Sequence, residues 1–259
     1  MLRQNPLPSR VRAAPGGILV SGRRRADDNR LPNPKTPSTP AESAAAPAAP
    51  PPQSRRNLEK YQLILDAAIA VIAGKGFFGC RVSDIAERAG VADGTIYLYF
   101  RSKEQILMAA IDSAFTAFLN QARSDLQSIP SVEERLRRLA WLHLHTLGAN
   151  RDLAVVFQTE LRHSAKFLAQ FSQHHLVEYF DLIRSVIREG QSAGVFRKEI
   201  SDKIAANCFF GALDEMVTSW MLSDHDYPLA GAAEPIVDVI LRGLETKRGN
   251  GSAEPHHHQ

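Results

Sequence analysis

The sequence predicts an all-α protein, a small N-terminal three-helix unit followed by a larger helical domain. Three observations carry that expectation. Apolar residues recur at three- and four-residue spacings from about residue 60 to residue 244. The breaks between these stripes hold Gly, Pro or a Ser start signal. No run reads as a strand, and no internal repeat is present.

The elements follow in order. Leu63, Ile64, Ala67, Ala68, Val71 and Ile72 form a first stripe that stops at 74–76, where two glycines stand. Val82, Ile85, Ala86 and Ala89 form a second, ended by Gly90. A third short helix covers 93–99. Ser102 then opens a long helix, because Ser-Lys-Glu-Gln places Gln105 at the third helical position as a capping box requires. Its apolar residues run from Ile106 through Phe118 to Leu126. Ser131 to Glu134 repeats the start signal for a helix to about Leu147, and further helices are expected over 152–161, 166–192, 201–223 and 232–247.

Composition bounds the function. The chain has 259 residues, 44% hydrophobic and 23% charged, which is room for one or two domains with a buried core. The net charge of +3 is unevenly spread: residues 1–60 hold 11 Lys/Arg against 4 Asp/Glu, leaving 20 against 24 in the rest. Attraction to polyanions must therefore come from local patches and the N-terminal arm. The two cysteines, Cys80 and Cys208, form no CxxC and no disulfide framework, so a reducing cytoplasm is the expected location. No apolar run has the length of a membrane span, and the longest one near the N-terminus, 18–20, is too short for a signal-peptide core.

Residues 1–53 carry 11 of the 15 prolines and the run TPAESAAAPAAPPPQ, so they read as a disordered Pro/Ala/Arg-rich arm. Arg23, Arg24 and Arg25 either add non-specific DNA affinity or form a solvated tail. Residues 248–259, with three His, read as a frayed tail. The domains expected between are 54–101 and 102–247.

Two short helices around a tight Gly-bearing turn are the pattern of a helix-turn-helix, whose second helix enters the major groove with its N-terminal residues toward the bases. Gly94 lets backbone approach DNA closely. Thr95 offers a hydroxyl and a methyl for a phosphate or a thymine methyl. Ile96 points back to Ile85 and Val91. Tyr97 and Tyr99 have rigid rings with hydroxyls suited to phosphate oxygens, or serve as packing residues. Phe100 turns inward. Lys103, at the start of the long helix, brings an ammonium beside free backbone N–H groups. Ser83 offers another hydroxyl at the start of the bracing helix.

The run ILDAAIAVIAGKGFFGCRVSDIAERAGVADGTIYLYFRSKEQIL, within residues 60–107, resembles the N-terminal domain of the tetracycline-repressor (TetR) family of bacterial transcription regulators. The matching positions are Gly76-Phe77, Val82, Ile85-Ala86, Ala89-Gly90-Val91, Gly94-Thr95, Tyr97, Phe100 and Lys103-Glu104. The resemblance implies a homodimer of helical subunits in which a ligand in the C-terminal domain alters the spacing of two recognition helices and frees a palindromic operator. By motif position it implies Thr95, Tyr97, Tyr99 and Lys103 as DNA contacts. Two positions depart from the pattern. Cys80-Arg81 stand where Ser or Thr usually caps the bracing helix, which leaves Arg81 to meet a phosphate. Asp93 precedes Gly94, either capping the helix or accepting from a cytosine amino group.

In the C-terminal half, LAVVFQTELRHSAKFL (153–168) sets an apolar helix before Glu160, Arg162, His163 and Lys166. In FFGALDEMVTSWMLSDHDY (209–227), Leu213, Val217 and Trp220 share a face interrupted by Asp214 and Glu215. On residue type these stripes are either ordinary core and dimer interface, or the lining for a greasy ligand with an anionic head. Both runs resemble TetR-type repressors of fatty-acid degradation that respond to long-chain acyl-CoA. That similarity implies an acyl chain against Phe157, Leu161, Leu213, Val217 and Trp220, with the CoA phosphates at Arg162 and Lys166. A repressor responding to another hydrophobic molecule, from drug efflux or lipid metabolism, is the alternative, and an acyl-CoA-handling enzyme a more distant one. Ile204, Cys208, Ala212 and Met216, with Ile236, Val237, Ile240, Leu241 and Leu244, form wide faces suited to a four-helix dimer interface.

No cofactor and no metal site is expected. His143 and His145 diverge by about 200° on a helix, and the adjacent His174 and His175 by about 100°, so neither pair converges on one ion. No P-loop, G-x-S-x-G or H-E-x-x-H occurs.

Overall fold

The structure, a computed structural model, describes residues 55–161, 172–225 and 227–244. The expected arms at 1–53 and 248–259 lie outside these residues. Nine α-helices are present among the described residues, and no strand. They are α1 (Arg55–Lys75), α2 (Val82–Ala89), α3 (Asp93–Tyr97), α4 (Lys103–Gln127), α5 (Val132–Gly148), α6 (Arg151–Val155), α7 (Val177–Ser192), α8 (Asp202–Leu222) and α9 (Ala233–Leu244).

Helices α1, α2 and α3 close a small core around Ile64, Leu65, Ile72, Ile85 and Ile96, all at most 1% exposed. Each such aliphatic side chain contributes roughly 1.5–3 kcal/mol on burial. Leu63, assigned to the first stripe, is 53% exposed; the face that packs runs through 64, 65, 68, 69 and 72 instead. Gly90 ends α2 in the left-handed conformation (φ 66°), and the N–H of Val91 reaches back to the carbonyl of Ala86 at 3.0 Å. That closure gives the tight turn between α2 and α3, and any residue with a Cβ is strained there.

Helix α4 serves two cores at once. Its first half (Ile106, Leu107, Ala110, Ile111) packs into the small N-terminal core, and its second half (Phe118, Leu119, Ala122, Leu126) into the larger one. The larger core gathers α5, α7, α8 and α9 about Leu136, Leu139, Tyr179, Ile187 and Phe209. Ser102 accepts from the N–H of Gln105 at 3.3 Å, as a capping box requires, but the Gln105 carboxamide returns to the N–H of Arg101, not Ser102. Ser131 accepts from Glu134 at 3.2 Å to start α5.

Two stretches expected to be α-helical are π-helical, Val156–Leu161 and Ser172–Leu176. In the first, the Thr159 hydroxyl donates to the carbonyl of Val155 at 2.8 Å, four residues back. Such a bond shares the carbonyl that an α-turn would use. The expected helix over 166–192 is described only from residue 172.

One contact in the larger core tests its packing. A Cβ built on Gly190, in α7, overlaps the ring of Phe196, which is fully buried. Gly190→Ala is therefore expected to destabilise the fold by about 1–3 kcal/mol in denaturant unfolding, despite alanine's better helix propensity.

Candidate nucleic-acid interface and ligand cavity

The α2–turn–α3 unit presents one polar edge to solvent. Asp93, Gly94 and Tyr97 are exposed and share a face of α3, while Ile96 is fully buried behind them. Tyr97 is 59% exposed. Thr95 is half-buried, and Ser83 and Arg81 are exposed. Leu98, 81% exposed, also lies on this surface and was not singled out from sequence.

Arg81 occupies the cap position of α2 without capping it by its side chain. The N–H of Arg81 donates to Asp84 at 2.8 Å, and Lys75 pairs with the same carboxylate at 3.0 Å. These contacts, the backbone donation first, hold Asp84 below the usual carboxylate range. Asp84 thus supplies the N-terminal order that Ser or Thr would have given. Asp93 does not cap α3. It is the first helical residue, one position too late, and the cap position is Ala92, which makes no side-chain bond.

Two expected phosphate contacts turn inward. The Lys103 ammonium donates to the carbonyls of Phe77 and, at 2.6 Å, Cys80, and it lies 4.5 Å above the Phe77 ring. It therefore closes the loop between α1 and α2 and does not stand free at the surface. Tyr99 is half-buried, with its ring edge-on to Tyr61 (6.2 Å) and its hydroxyl donating to Asn57 at 3.4 Å. Phe100 is inward as expected, stacked on Tyr61 at 5.1 Å. The aromatic crowding at 97–100 is thus one outward ring and two that anchor α1.

A cavity of about 380 Å³ lies where the two cores meet. Its walls come from α4 (Phe115, Phe118), α5 (His143, Leu147), the π-helical turn (Phe157, Gln158, Leu161), α7 (Tyr179) and α8 (Phe210, Asp214). Phe157 and Leu161 line it. Leu213, Val217 and Trp220 do not: they are at most 3% exposed and belong to the packed core. On α8 the cavity face is the neighbouring one, through Phe210 and Asp214, and the Trp220 indole N–H is engaged by the Tyr227 carbonyl at 3.0 Å. Arg162 and Lys166 lie outside the described residues.

Polar groups in this cavity are few, and two pairs of them are bonded to each other. The Gln158 carboxamide donates to the Asp214 carboxylate at 2.9 Å, and Nδ1 of His143 is 3.1 Å from the Tyr179 hydroxyl. Burial lowers the His143 pKa from 6.5 to about 4, with Asp214 opposing the shift, and raises the Tyr179 pKa. His145 instead stacks on Trp141 at 4.3 Å on the outer face, so the two His of that pair point apart. Sequence reading missed His143, Tyr179 and Phe210 because their partners come from three separate helices.

On the outer faces of α8 and α9, Ile204 is 61% and Val239 is 73% exposed. Val237, Leu241 and Leu244, expected at a subunit interface, are buried within this chain instead, because that stripe of α9 packs on α5 and α8.

A helix-turn-helix joined to a helical domain with an apolar cavity is the architecture of an effector-responsive transcriptional regulator. The family model for the N-terminal domain of bacterial regulatory proteins of the tetR family matches residues 64–110, and that for the YsiA-like protein C-terminal region matches 111–243. The chain belongs to the tetR family and is a regulator, not an enzyme. It is 34% identical over 188 residues to the fatty acid metabolism regulator protein of Bacillus subtilis (strain 168), covering 73% of this chain and 97% of that one. Among solved structures, the fatty acid degradation regulator FadR of Bacillus halodurans is 39% identical with a TM-score of 0.68, over 71% of this chain and 95% of its own. FadR of Bacillus subtilis, in complex with stearoyl-CoA, is 34% identical with a TM-score of 0.67, over 71% and 100%. No described helix is long and apolar enough to cross a membrane.

Two measurements follow. Lys103→Ala leaves the carbonyls of Phe77 and Cys80 without their cation, so it is expected to lower stability by about 1–3 kcal/mol. In DNA titrations it should change the salt slope less than Arg81→Ala does. His143 binds its proton less readily folded than unfolded, so stability is full above pH 6.5 and falls as pH drops toward 4. The loss is expected to reach about 3 kcal/mol in urea unfolding across that window, and His143→Leu should flatten it.

Proposed function

We propose that this regulator is a homodimeric repressor of fatty-acid degradation genes, released from a palindromic operator by long-chain acyl-CoA. The observation that carries the reading is the apolar cavity at the junction of the two cores. An alkyl chain fits its aromatic and aliphatic walls. The relatives named for fatty-acid regulation, one of them bound to stearoyl-CoA, support the same ligand class. The second cleft, about 420 Å³ between α1, α4 and α6, is flanked by Asp66 and Asp152 and suits no anionic ligand.

Phe157 and Leu161 contact the chain in this reading, and Arg162, the next residue in sequence, with Lys166, five residues after Leu161, hold the CoA phosphates. On DNA, Gly94, Thr95 and Tyr97 lead into the groove, with Asp93 at the same edge, and Arg81 and Ser83 reach the backbone. Lys103 and Tyr99 hold these elements in place, each with its polar tip bonded within the domain. The exposed apolar residues Ile204 and Val239 support pairing of two subunits through α8 and α9. Two free cysteines fit work in the cytoplasm.

Gel-shift titration on the DNA flanking the gene tests the reading. Micromolar hexadecanoyl-CoA is expected to dissociate the complex, while free CoA leaves it intact. Indifference to every acyl-CoA would leave a repressor of another effector. Arg81→Ala should reduce the salt slope by about one unit, the mark of one lost phosphate contact, and Tyr97→Phe should weaken binding by about 0.5–1.5 kcal/mol. The double change Ile204→Glu with Val239→Glu is expected to yield monomers in analytical ultracentrifugation; a persistent dimer would move the interface elsewhere.

A further inference from the structure

His143, one of the residues lining the cavity, carries a buried ring nitrogen, Nε2, that has no hydrogen-bond partner among the described residues. The residue is 7% exposed and lines the cavity wall. Phe118 lies edge-on at 6.4 Å and Phe210 at 5.9 Å from its ring, so its surroundings are otherwise aromatic. Asp214, the charged group on the same wall, accepts from Gln158 and takes no hydrogen bond from Nε2.

Hydrogen-bond accounting favours one tautomer of the ring. The ring is neutral near pH 7, so it has one N–H and one lone pair. If Nδ1–H donated to the Tyr179 oxygen, two groups would be left unmet: the Tyr179 O–H and the Nε2 lone pair. If the Tyr179 O–H donates to Nδ1 instead, a single strong donor remains, Nε2–H. The second arrangement leaves fewer buried groups unmet and is favoured. A buried donor without an acceptor costs about as much as a lost hydrogen bond, so a ligand that offers an acceptor gains what a plain hydrocarbon cannot.

We infer that His143 Nε2–H, oriented by Tyr179, donates to an acceptor oxygen on the effector, making His143 the residue that selects an oxygen-bearing alkyl ligand over a hydrocarbon of equal length. This deepens the acyl-CoA reading and rests on it. The oxygen is either the thioester carbonyl or a hydroxyl or oxo group along the chain, and one titration separates the two sources.

Isothermal titration of the full-length protein at neutral pH compares three probes: hexadecanoyl-CoA, the thioether S-hexadecyl-CoA, which lacks the carbonyl, and a hexadecanoyl-CoA hydroxylated at mid-chain. If the carbonyl is the acceptor, the thioether binds about tenfold more weakly than the acyl compound. If a chain oxygen is the acceptor, those two bind alike and the hydroxylated probe binds about tenfold more tightly. In either case His143→Leu brings all three within about twofold, and His143→Gln, which keeps a neutral N–H donor, retains the difference. Should the Leu variant fail to fold, Tyr179→Phe serves in its place, because it releases Nδ1 to hold the proton and should shrink the discrimination. Equal affinity of the wild-type protein for all three probes overturns the inference and leaves the acyl-CoA effector standing. Full discrimination in His143→Leu, or in its substitute, overturns the assignment to His143. Binding of none of the three overturns the effector reading and the inference together.

Discussion

The constraint on which the molecule depends is that a single helix, α4, supplies side chains to both hydrophobic cores. Ile106, Leu107 and Ile111 cannot shift without disturbing the DNA-facing unit, and Phe118, Leu119 and Leu126 cannot shift without disturbing the effector unit. Interiors packed at crystal-like density transmit such displacements instead of absorbing them. Lys103 makes the N-terminal end of this helix rigid, because its ammonium ties α4 to the carbonyls of Phe77 and Cys80 that lead into α2. The orientation of α2 and α3 is thereby fixed to α4.

The cavity lies where that constraint is most exposed. Phe115 of α4 packs against both cores, and Leu153, Phe157 and Leu161 join the cavity wall to the N-terminal core. The π-helical turn carries wall residues on one side and Glu160 on the other, whose carboxylate lies 3.5 Å from where a Cβ on Gly76 would sit. Gly76 has φ 72° and opens the loop after α1. An occupant that moves Phe157 or Leu161 therefore acts on the segment abutting the DNA-facing unit. It can shift the balance between two arrangements only by as much as it binds one better than the other.

The fold was largely legible because its signals are local. Gly90 and the stripe through Ile85 and Ala86 determine α2 and its turn, and Ser102 and Ser131 mark helix starts that the structure places at Lys103 and Val132. What sequence missed depends on which of two adjacent faces a helix turns inward. On α8, Leu213 and Val217 are as apolar as any cavity lining, yet they are packed into the larger core and the cavity takes Phe210 and Asp214. Lys103 and Tyr99 had polar tips and positions suited to DNA; only tertiary contacts show that their tips are already bonded within the domain. The π-helical turn was invisible because the apolar spacing over 152–161 reads the same for an α-helix.

The same site explains why the effector half keeps features that lower its own stability. An apolar cavity of this size forgoes the dispersion contacts that filling residues would make. His143 adds a buried ring whose Nε2 has no hydrogen-bond partner among the described residues. Both deficits are removed by one molecule of the right shape bearing one acceptor. A ligand that repairs the folded state binds it and not the unfolded chain, so occupancy raises stability in proportion to the logarithm of its concentration. If the arrangement that fits DNA keeps the cavity collapsed, the energy gained on filling it is the energy available to disfavour DNA binding, because linkage makes the two effects reciprocal. The buried nitrogen and the cavity are then parts of the switch, and a core repacked to remove them would be more stable and less responsive.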